Sequence, residues 1–259
     1  MSHDTILETR HLSKDFGGLH AVADVSMQVE ARTLHSIIGP NGAGKTTFFN
    51  LLSGNLKPTA GQVIFKGEDI TGLPAYRITH LGIGRSFQIT NVFPNLTVLE
   101  NIRLASQAHG SDSFKFWQHY LHFSDYLDRA WHVVEQVGLV DQANLPASVL
   151  PHGGQRKLEL GILLAADPEL LLLDEPTAGM AREEIPLLMD VIEDIRNRGD
   201  KTIMLVEHKM DLVMNVSDKI TVMHQGGVLA EGSPSEISAN DTVQAAYLGD
   251  LYGDLSEVS

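Results

Sequence analysis

Eight residues, GPNGAGKT at positions 39–46, restrict what this chain can fold into more than any other stretch. They fill the pattern G-x-x-x-x-G-K-[ST] completely. Before them comes a short apolar run, Leu34-His35-Ser36-Ile37-Ile38, and from Thr46 onward TTFFNLLSG reads as a helix closed by Gly54. A strand that enters a helix through such a loop turns its backbone N–H groups inward around phosphate oxygens, with the positive end of the helix dipole behind them. Lys45 adds a point charge for the terminal phosphates, and the Thr46 hydroxyl can ligate Mg²⁺. The nucleotide-binding candidates are Gly39, Pro40, Asn41, Gly42, Ala43, Gly44, Lys45, Thr46 and Thr47. A chance glycine loop would not place every patterned position between a strand and a helix.

The companion stretch is LLLLDE, residues 170–175. A buried strand here delivers Asp174 to a metal, and Glu175 can polarise an attacking water as general base. A carboxylate at a strand end can also be a plain helix cap, since Pro176 and Thr177 follow, but the phosphate loop places that reading second. No Asn-Lys-x-Asp sequence for guanine occurs, so ATP is preferred over GTP.

Periodicity supplies the frame. Val25-Ser26-Met27-Gln28-Val29 alternates like a half-buried strand, and Gln62–Gly67 is a strand running into a turn. Leu170–Leu173 and Thr202–Val206 are short apolar runs, as expected of buried parallel strands, and Glu183–Arg198 between them reads as a crossover helix closed by Gly199. Lys219–Met223 is a last strand before the Gly226-Gly227 turn. Residues 97–165 are mostly helical in pattern, with Trp117, Leu121, Ser124, Leu127, Trp131 and Val134 forming one amphipathic face. With 43% hydrophobic residues the chain can bury a core, and no run nears the roughly 18 apolar residues of a membrane span. A formal charge of −14 argues against nucleic acid and anionic lipid as direct partners. The absence of cysteine excludes thiolate metal sites and suits a reducing compartment. The first residues lack a signal-peptide core, so a soluble, cytoplasmic chain is expected.

The phosphate loop, RSFQ ending at Gln88, LPHGGQ at 150–155, LLLLDEPTAG and VEH ending at His208 follow one another in an order that resembles the ATP-binding cassette (ABC) ATPases. The resemblance spans roughly Leu7 to Gly249. FGGLHAV, RSFQITNVFPNLTVLENI, DEPTAGM and the terminal AYLG are similar, more narrowly, to the ATPase subunits of branched-chain (hydrophobic) amino acid importers. It implies an α/β fold: a P-loop NTPase (RecA-like) parallel-sheet core with an N-terminal antiparallel β subdomain and a helical insertion. As a single domain, residues 1–95 and 160–259 would form the β subdomain and core, and 96–159 a helical subdomain with the signature loop at its end. It further implies that Phe16 stacks on adenine. Gln88 would sense Mg²⁺ and the attacking water, and Asp174 and Thr46 would hold the metal. His208 would contact the γ-phosphate and orient Glu175. Expected partners are transmembrane permease subunits, a second ABC ATPase subunit and, indirectly, a substrate-binding protein, with the chain peripheral on the inner face of the cell membrane. Urea or short amides stand behind amino acids as cargo, and a regulatory cassette that holds ATP without turnover is the alternative in another class.

Some residues carry less. His119 and His122 are one helical turn apart, but lack a third ligand of suitable type and read as surface or packing residues. Phe114, Phe116, Trp117, Tyr120, Phe123, Tyr126 and Trp131 read mostly as core of the helical part, with some available to a groove for a permease helix.

LPHGGQ departs from the family pattern, which has Leu-Ser-x-Gly at a helix start pressing on the γ-phosphate of ATP held by a second subunit. Leu150 lies 24 residues before Asp174, the family's separation. The signature set is therefore Pro151 at the serine, His152, Gly153, Gly154 and Gln155. Proline suits the first turn of a helix, so the helix should form while one hydroxyl and one N–H are lost. Ala181 stands where many members have a polar residue that communicates across the dimer. Together these substitutions point to a weakened composite site, and a heterodimer over a homodimer.

Overall fold

The computed structural model describes residues 4–86, 92–109 and 124–246. Two sheets organise the chain. The first is a four-stranded antiparallel sheet in the order β2 (Leu19–Glu30), β1 (Thr5–Phe16), β4 (Ala60–Phe65), β5 (Glu68–Asp69). β2 shows why: from Val25 to Val29 every second side chain is buried, which a half-covered sheet requires. The second has six strands, in the order β10 (Gly227–Gly232), β9 (Lys219–His224), β3 (Leu34–Ile38), β8 (Thr202–Val206), β7 (Leu170–Asp174), β6 (Ile83–Arg85). β3, β6, β7, β8 and β9 pair in parallel, and β10 closes one edge antiparallel.

All five residues of β3, β7 and β8 are buried, which explains their continuous apolar sequences. The two polar residues inside β3 bond to neighbouring hydroxyls, although His35 Nδ1 is buried without a partner. His35 Nε2 lies 2.7 Å from the Thr221 hydroxyl, and the Ser36 and Ser217 hydroxyls are 2.6 Å apart. Burial pushes the His35 imidazole down to about 4, so it stays neutral.

The helices are α1 (Lys45–Leu52), α2 (Ala75–Leu81), α3 (Val98–His109), α4 (Ser124–Gln136), α5 (His152–Ala165), α6 (Ile185–Asn197), α7 (Met210–Val216) and α8 (Pro234–Ser238). α6 is the expected crossover between β7 and β8, two residues shorter at its start than the sequence suggests. The amphipathic face through Trp131 is shifted in phase. In α4 the buried positions are Ala130, Val133 and Val134, with Val137 buried just past its end, while Trp131 is half-buried and Leu127 is exposed. The 3.6-residue period holds, but Trp131 sits at the edge of the buried stripe, one position from its centre. Trp117, Leu121, the histidines at 119 and 122 and all the aromatics up to Phe123 lie outside the described residues. α3, α4 and α5 share one apolar cluster through Ile102, Val133, Leu158 and Leu164, which continues to Leu171 and Leu173 of β7. No described helix is long and apolar enough to cross a membrane.

The parallel register fixes where chemistry can occur. Ile37 of β3 and Asp174 of β7 both pair with Val206 of β8, so the three strands end at one edge. Ligands of open α/β sheets bind beyond such carboxyl ends.

Candidate active site

β3 ends at Ile38 and the chain turns through residues 39–44 before α1 begins at Lys45. Two glycines are dictated by close approach. Gly39 has φ +150°, and a Cβ there would sit 2.1 Å from the Met223 carbonyl oxygen; Gly44 has φ +99°, and a Cβ would sit 2.3 Å from the Ala21 carbonyl oxygen. The loop is thereby clamped between β2 and β9 at the start of α1. Lys45 is 5% exposed, and its ammonium donates to the Gly39 and Pro40 carbonyls at 2.6 and 2.9 Å. Burial pulls that ammonium below its ordinary value, and the charges of Glu175 and Asp174 oppose the shift.

A cleft of about 530 Å³ opens beside the loop, bounded by residues 41–47, Leu19, His20, Ala21, Glu175, His208 and Gln225. That volume lies within the roughly 300–1,000 Å³ of small-molecule sites. The structure therefore brings Asn41, Gly42, Ala43, Gly44, Lys45, Thr46, Thr47, Glu175 and His208 to one place. Phe16 stands apart from this lining. It is 46% exposed at the end of β1, beside the Gly17-Gly18 turn, with the Lys14 ammonium 5.1 Å from its ring centre. Gln88 lies outside the described residues.

β7 delivers the carboxylates. Asp174 is the last residue of the strand, and its side chain is 1% exposed. Its Oδ2 accepts from Arg85 Nη2 at 2.9 Å, whereas Oδ1 is buried with no hydrogen-bond partner. Burial pushes this carboxyl above its usual range, with Arg85 opposing. A buried, unpartnered carboxylate oxygen beside a phosphate-binding loop is a hard acceptor of the kind a divalent cation takes. Among the described residues no three His, Cys, Asp or Glu side chains converge as a metal cage. A cation held here would draw most of its ligands from phosphates and water, as Mg²⁺ sites do.

Glu175 turns the chain out of the sheet with φ +49°, and its N–H donates to the Val206 carbonyl at 2.9 Å. His208, two residues beyond the end of β8, places Nε2 at 2.7 Å from Glu175 Oε1, a distance at which the imidazole N–H donates to the carboxylate. An oriented carboxylate at the mouth of a phosphate-sized cleft can accept a proton from water.

Arg85 is the residue of this region whose part the sequence did not show. It ends β6, and besides Asp174 it donates to the side-chain Oδ1 of Asn50 at 2.7 Å and to the Ser53 hydroxyl at 2.8 Å, the first within α1 and the second at its end. One guanidinium thus ties the helix behind the phosphate loop to the strand carrying Asp174. A lone arginine at the end of an apolar run was the available signal.

Pro151 is the residue before α5, with φ −62° and ψ 164°, and the helix begins at His152. This corrects the expectation that the proline enters the first turn: it caps the helix from outside, and the Gln155 N–H donates to its carbonyl at 3.0 Å. A proline has no side-chain acceptor for the first amides. Glu184 supplies one instead, since the Gly153 N–H donates to its Oε1 at 3.1 Å and the Ala181 N–H to its Oε2 at 3.4 Å. The His152 ring rests near Gly179, and Arg156 Nη2 donates to the Ala178 carbonyl at 3.3 Å. Gly154 and Gln155 complete the first turn, with Gln155 Nε2 donating to the Leu150 carbonyl at 3.1 Å. The signature loop therefore packs on the segment that follows Glu175, away from the cleft of its own chain.

Comparison with known proteins agrees with this geometry. Residues 22–178 match the ABC transporter family, and residues 228–251 match the branched-chain amino acid ATP-binding cassette transporter family. Over 255 residues the chain is 42% identical to the high-affinity branched-chain amino acid transport ATP-binding protein LivG of Salmonella typhimurium, covering 95% of this chain and 98% of the relative. It is 40% identical over 250 residues to the corresponding BraF protein of Pseudomonas aeruginosa, with the same coverage. Among solved structures, the ADP conformation of an ATP-binding cassette from an ABC transporter superposes with TM-score 0.81 at 28% identity, covering 95% of this chain and 99% of the other. A nucleotide-free cassette from an ABC transporter gives 0.80 at 28% identity, covering 94% and 99%.

Proposed function

Because this chain belongs to the ABC transporter family and is an ABC-type ATPase, we propose that it drives uptake of branched-chain or other hydrophobic amino acids through separate permease subunits. The observation that carries the reading is the convergence of Lys45, Thr46, Glu175 and His208 on one cleft. The cargo rests on the relatives, since LivG and BraF are named for branched-chain amino acids. The loop amides and Lys45 hold the phosphates of ATP. Thr46, Asp174 and Gln88 would hold Mg²⁺, which would neutralise charge on the phosphate oxygens. Water attacks the γ-phosphorus and gives its proton to Glu175, ADP leaves, and His208 keeps the Glu175 carboxylate aimed. Two such chains close face to face on ATP and reopen after hydrolysis, moving permease partners on the inner face of the membrane. A substrate-binding protein delivers the cargo on the other side. A mostly apolar groove of about 210 Å³, lined by Ala75, Thr79, Gly84, Ser86, Ile162 and Leu163, is the place for permease contact. In cells lacking this chain, uptake of radiolabelled leucine is expected to stop and to return with the gene. Unchanged leucine uptake would sink the cargo assignment.

The signature loop supports a heterodimer with one weakened site. A γ-phosphate arriving from a partner chain meets a helix end without a serine hydroxyl, and with the Glu184 carboxylate already on the Gly153 amide. One hydrogen bond to a charged group is worth roughly 1.5–3 kcal/mol, or about ten- to a hundred-fold in rate. Steady-state ATP hydrolysis by the purified chain is therefore expected to rise about ten-fold or more in Pro151→Ser. Equal turnover, with activity climbing faster than linearly in protein concentration, would make a working homodimer the better account.

A further inference from the structure

Glu207, in the segment that carries His208, reaches with its side chain to the segment that carries Glu175, and it is 3% exposed. Both of its carboxylate oxygens are taken. Oε1 accepts from the Thr177 N–H at 3.2 Å and from the Thr177 hydroxyl, and Oε2 accepts from the backbone N–H of His208 at 3.0 Å. Thr177 is 2% exposed, and its hydroxyl oxygen accepts in turn from the Lys209 ammonium at 3.2 Å. A carboxylate is costly to bury, and this one is offset by three donors from two loops.

The sheet explains why such a bridge matters. The registered pairing of β7 with β8 ends at Asp174 and Val206, and one further backbone bond, from the Glu175 N–H to the Val206 carbonyl, follows. Beyond it the two chains diverge, Glu175 turning through positive φ. The ladder alone does not fix the separation of the Glu175 and His208 side chains. Glu207 joins the residue two positions after Glu175 to the main chain of His208, across the gap where the ladder stops.

We propose that Glu207 is a positioning residue for hydrolysis, acting through Thr177 and the His208 amide to hold the Glu175–His208 contact at its 2.7 Å separation. The inference rests on Glu175 being the general base. A merely structural buried charge would affect folding without acting through His208, and the two roles part in experiment.

Glu207→Gln keeps size and one acceptor oxygen, but its NH₂ group must face the backbone N–H of either Thr177 or His208, so two donors oppose each other. In the full chain kcat for ATP is expected to fall about ten-fold with KM changed less than about two-fold, because an interaction made only on the way to the transition state is lost. Thr177→Ser, which keeps the hydroxyl, should turn over like the native chain, and Thr177→Val should reproduce the Gln defect. The decisive readout is a double-mutant cycle: Glu207→Gln added to His208→Ala should slow turnover no further. Amide exchange supplies a readout independent of activity, since peptides spanning residues 175–181 and 205–211 should exchange faster in Glu207→Gln while the rest of the chain is unchanged. Native turnover in Glu207→Gln, defects that multiply with His208→Ala, or unchanged exchange in both peptides would each overturn the proposal. If Glu207→Gln does not fold, Thr177→Val carries the same cycle and exchange test. A native chain without Glu175-dependent turnover would sink the hydrolytic reading instead, a result separable from unchanged exchange in a chain that does turn over.

Discussion

The Glu175→Gln chain is expected to bind ATP as tightly as the native chain and to hydrolyse it about 10²–10⁴-fold more slowly, the usual contribution of a positioned general base. The substitution keeps the shape that fills the mouth of the cleft and an oxygen to accept from His208 Nε2, now 2.7 Å from the Glu175 carboxylate. What disappears is basicity, so the loss falls on kcat and not on KM. ATP is then expected to bind and stay. Phosphate release and titration with a fluorescent ATP analogue, run side by side, check both halves. Turnover near the native rate would remove Glu175 from the chemistry. Weakened binding with an unchanged kcat would recast it as part of the phosphate pocket.

Lys45→Ala should abolish nucleotide binding at ordinary concentrations. The native ammonium is almost fully enclosed and rests on the Gly39 and Pro40 carbonyls, within reach of the phosphate-binding loop. Transferring it to a phosphate replaces two neutral acceptors by a charged one. Charged hydrogen bonds contribute roughly 1.5–3 kcal/mol each, so losing the residue lowers affinity about a hundred-fold. Thermal unfolding reads this simply: ligand that binds only the folded chain raises its midpoint by mass action. The native midpoint should climb with ATP while that of Lys45→Ala stays flat. A normal climb in the variant would mean that the loop amides suffice. Arginine is no conservative substitute, because its planar fork cannot enter a niche shaped around a single ammonium.

The parts of this architecture that the sequence reveals are those with local causes. Buried parallel strands must be apolar throughout, so β3, β7 and β8 show as short runs, and the phosphate loop and Asp174 are read off their ends. β1 does not show. Its pairing with β2 shifts register four times along TILETRHLSKDF, which scrambles the alternation by which a strand is recognised. β6 is only three residues long, too short for any period. Long-range partnerships are hidden for another reason. Arg85 and Asp174 are 89 residues apart, and Gly153 and Glu184 are 31 apart, so neither pair has a spacing that points to the other. The proline at 151 was visible, yet what serves in place of the serine's capping oxygen was not, since the substitute comes from a different loop.

The backbone of residue 175 carries a last consequence. Left-handed φ is cheap for glycine and tolerable for asparagine, but a longer side chain pays about 1–3 kcal/mol to remain there. Folding alone would choose a smaller residue, and the chain would be sturdier for it. A glutamate held at φ +49° at the end of the sheet is a place where the molecule keeps less stability than it could have. In materials terms it is a pre-loaded spring, set at the mouth of the cleft it lines.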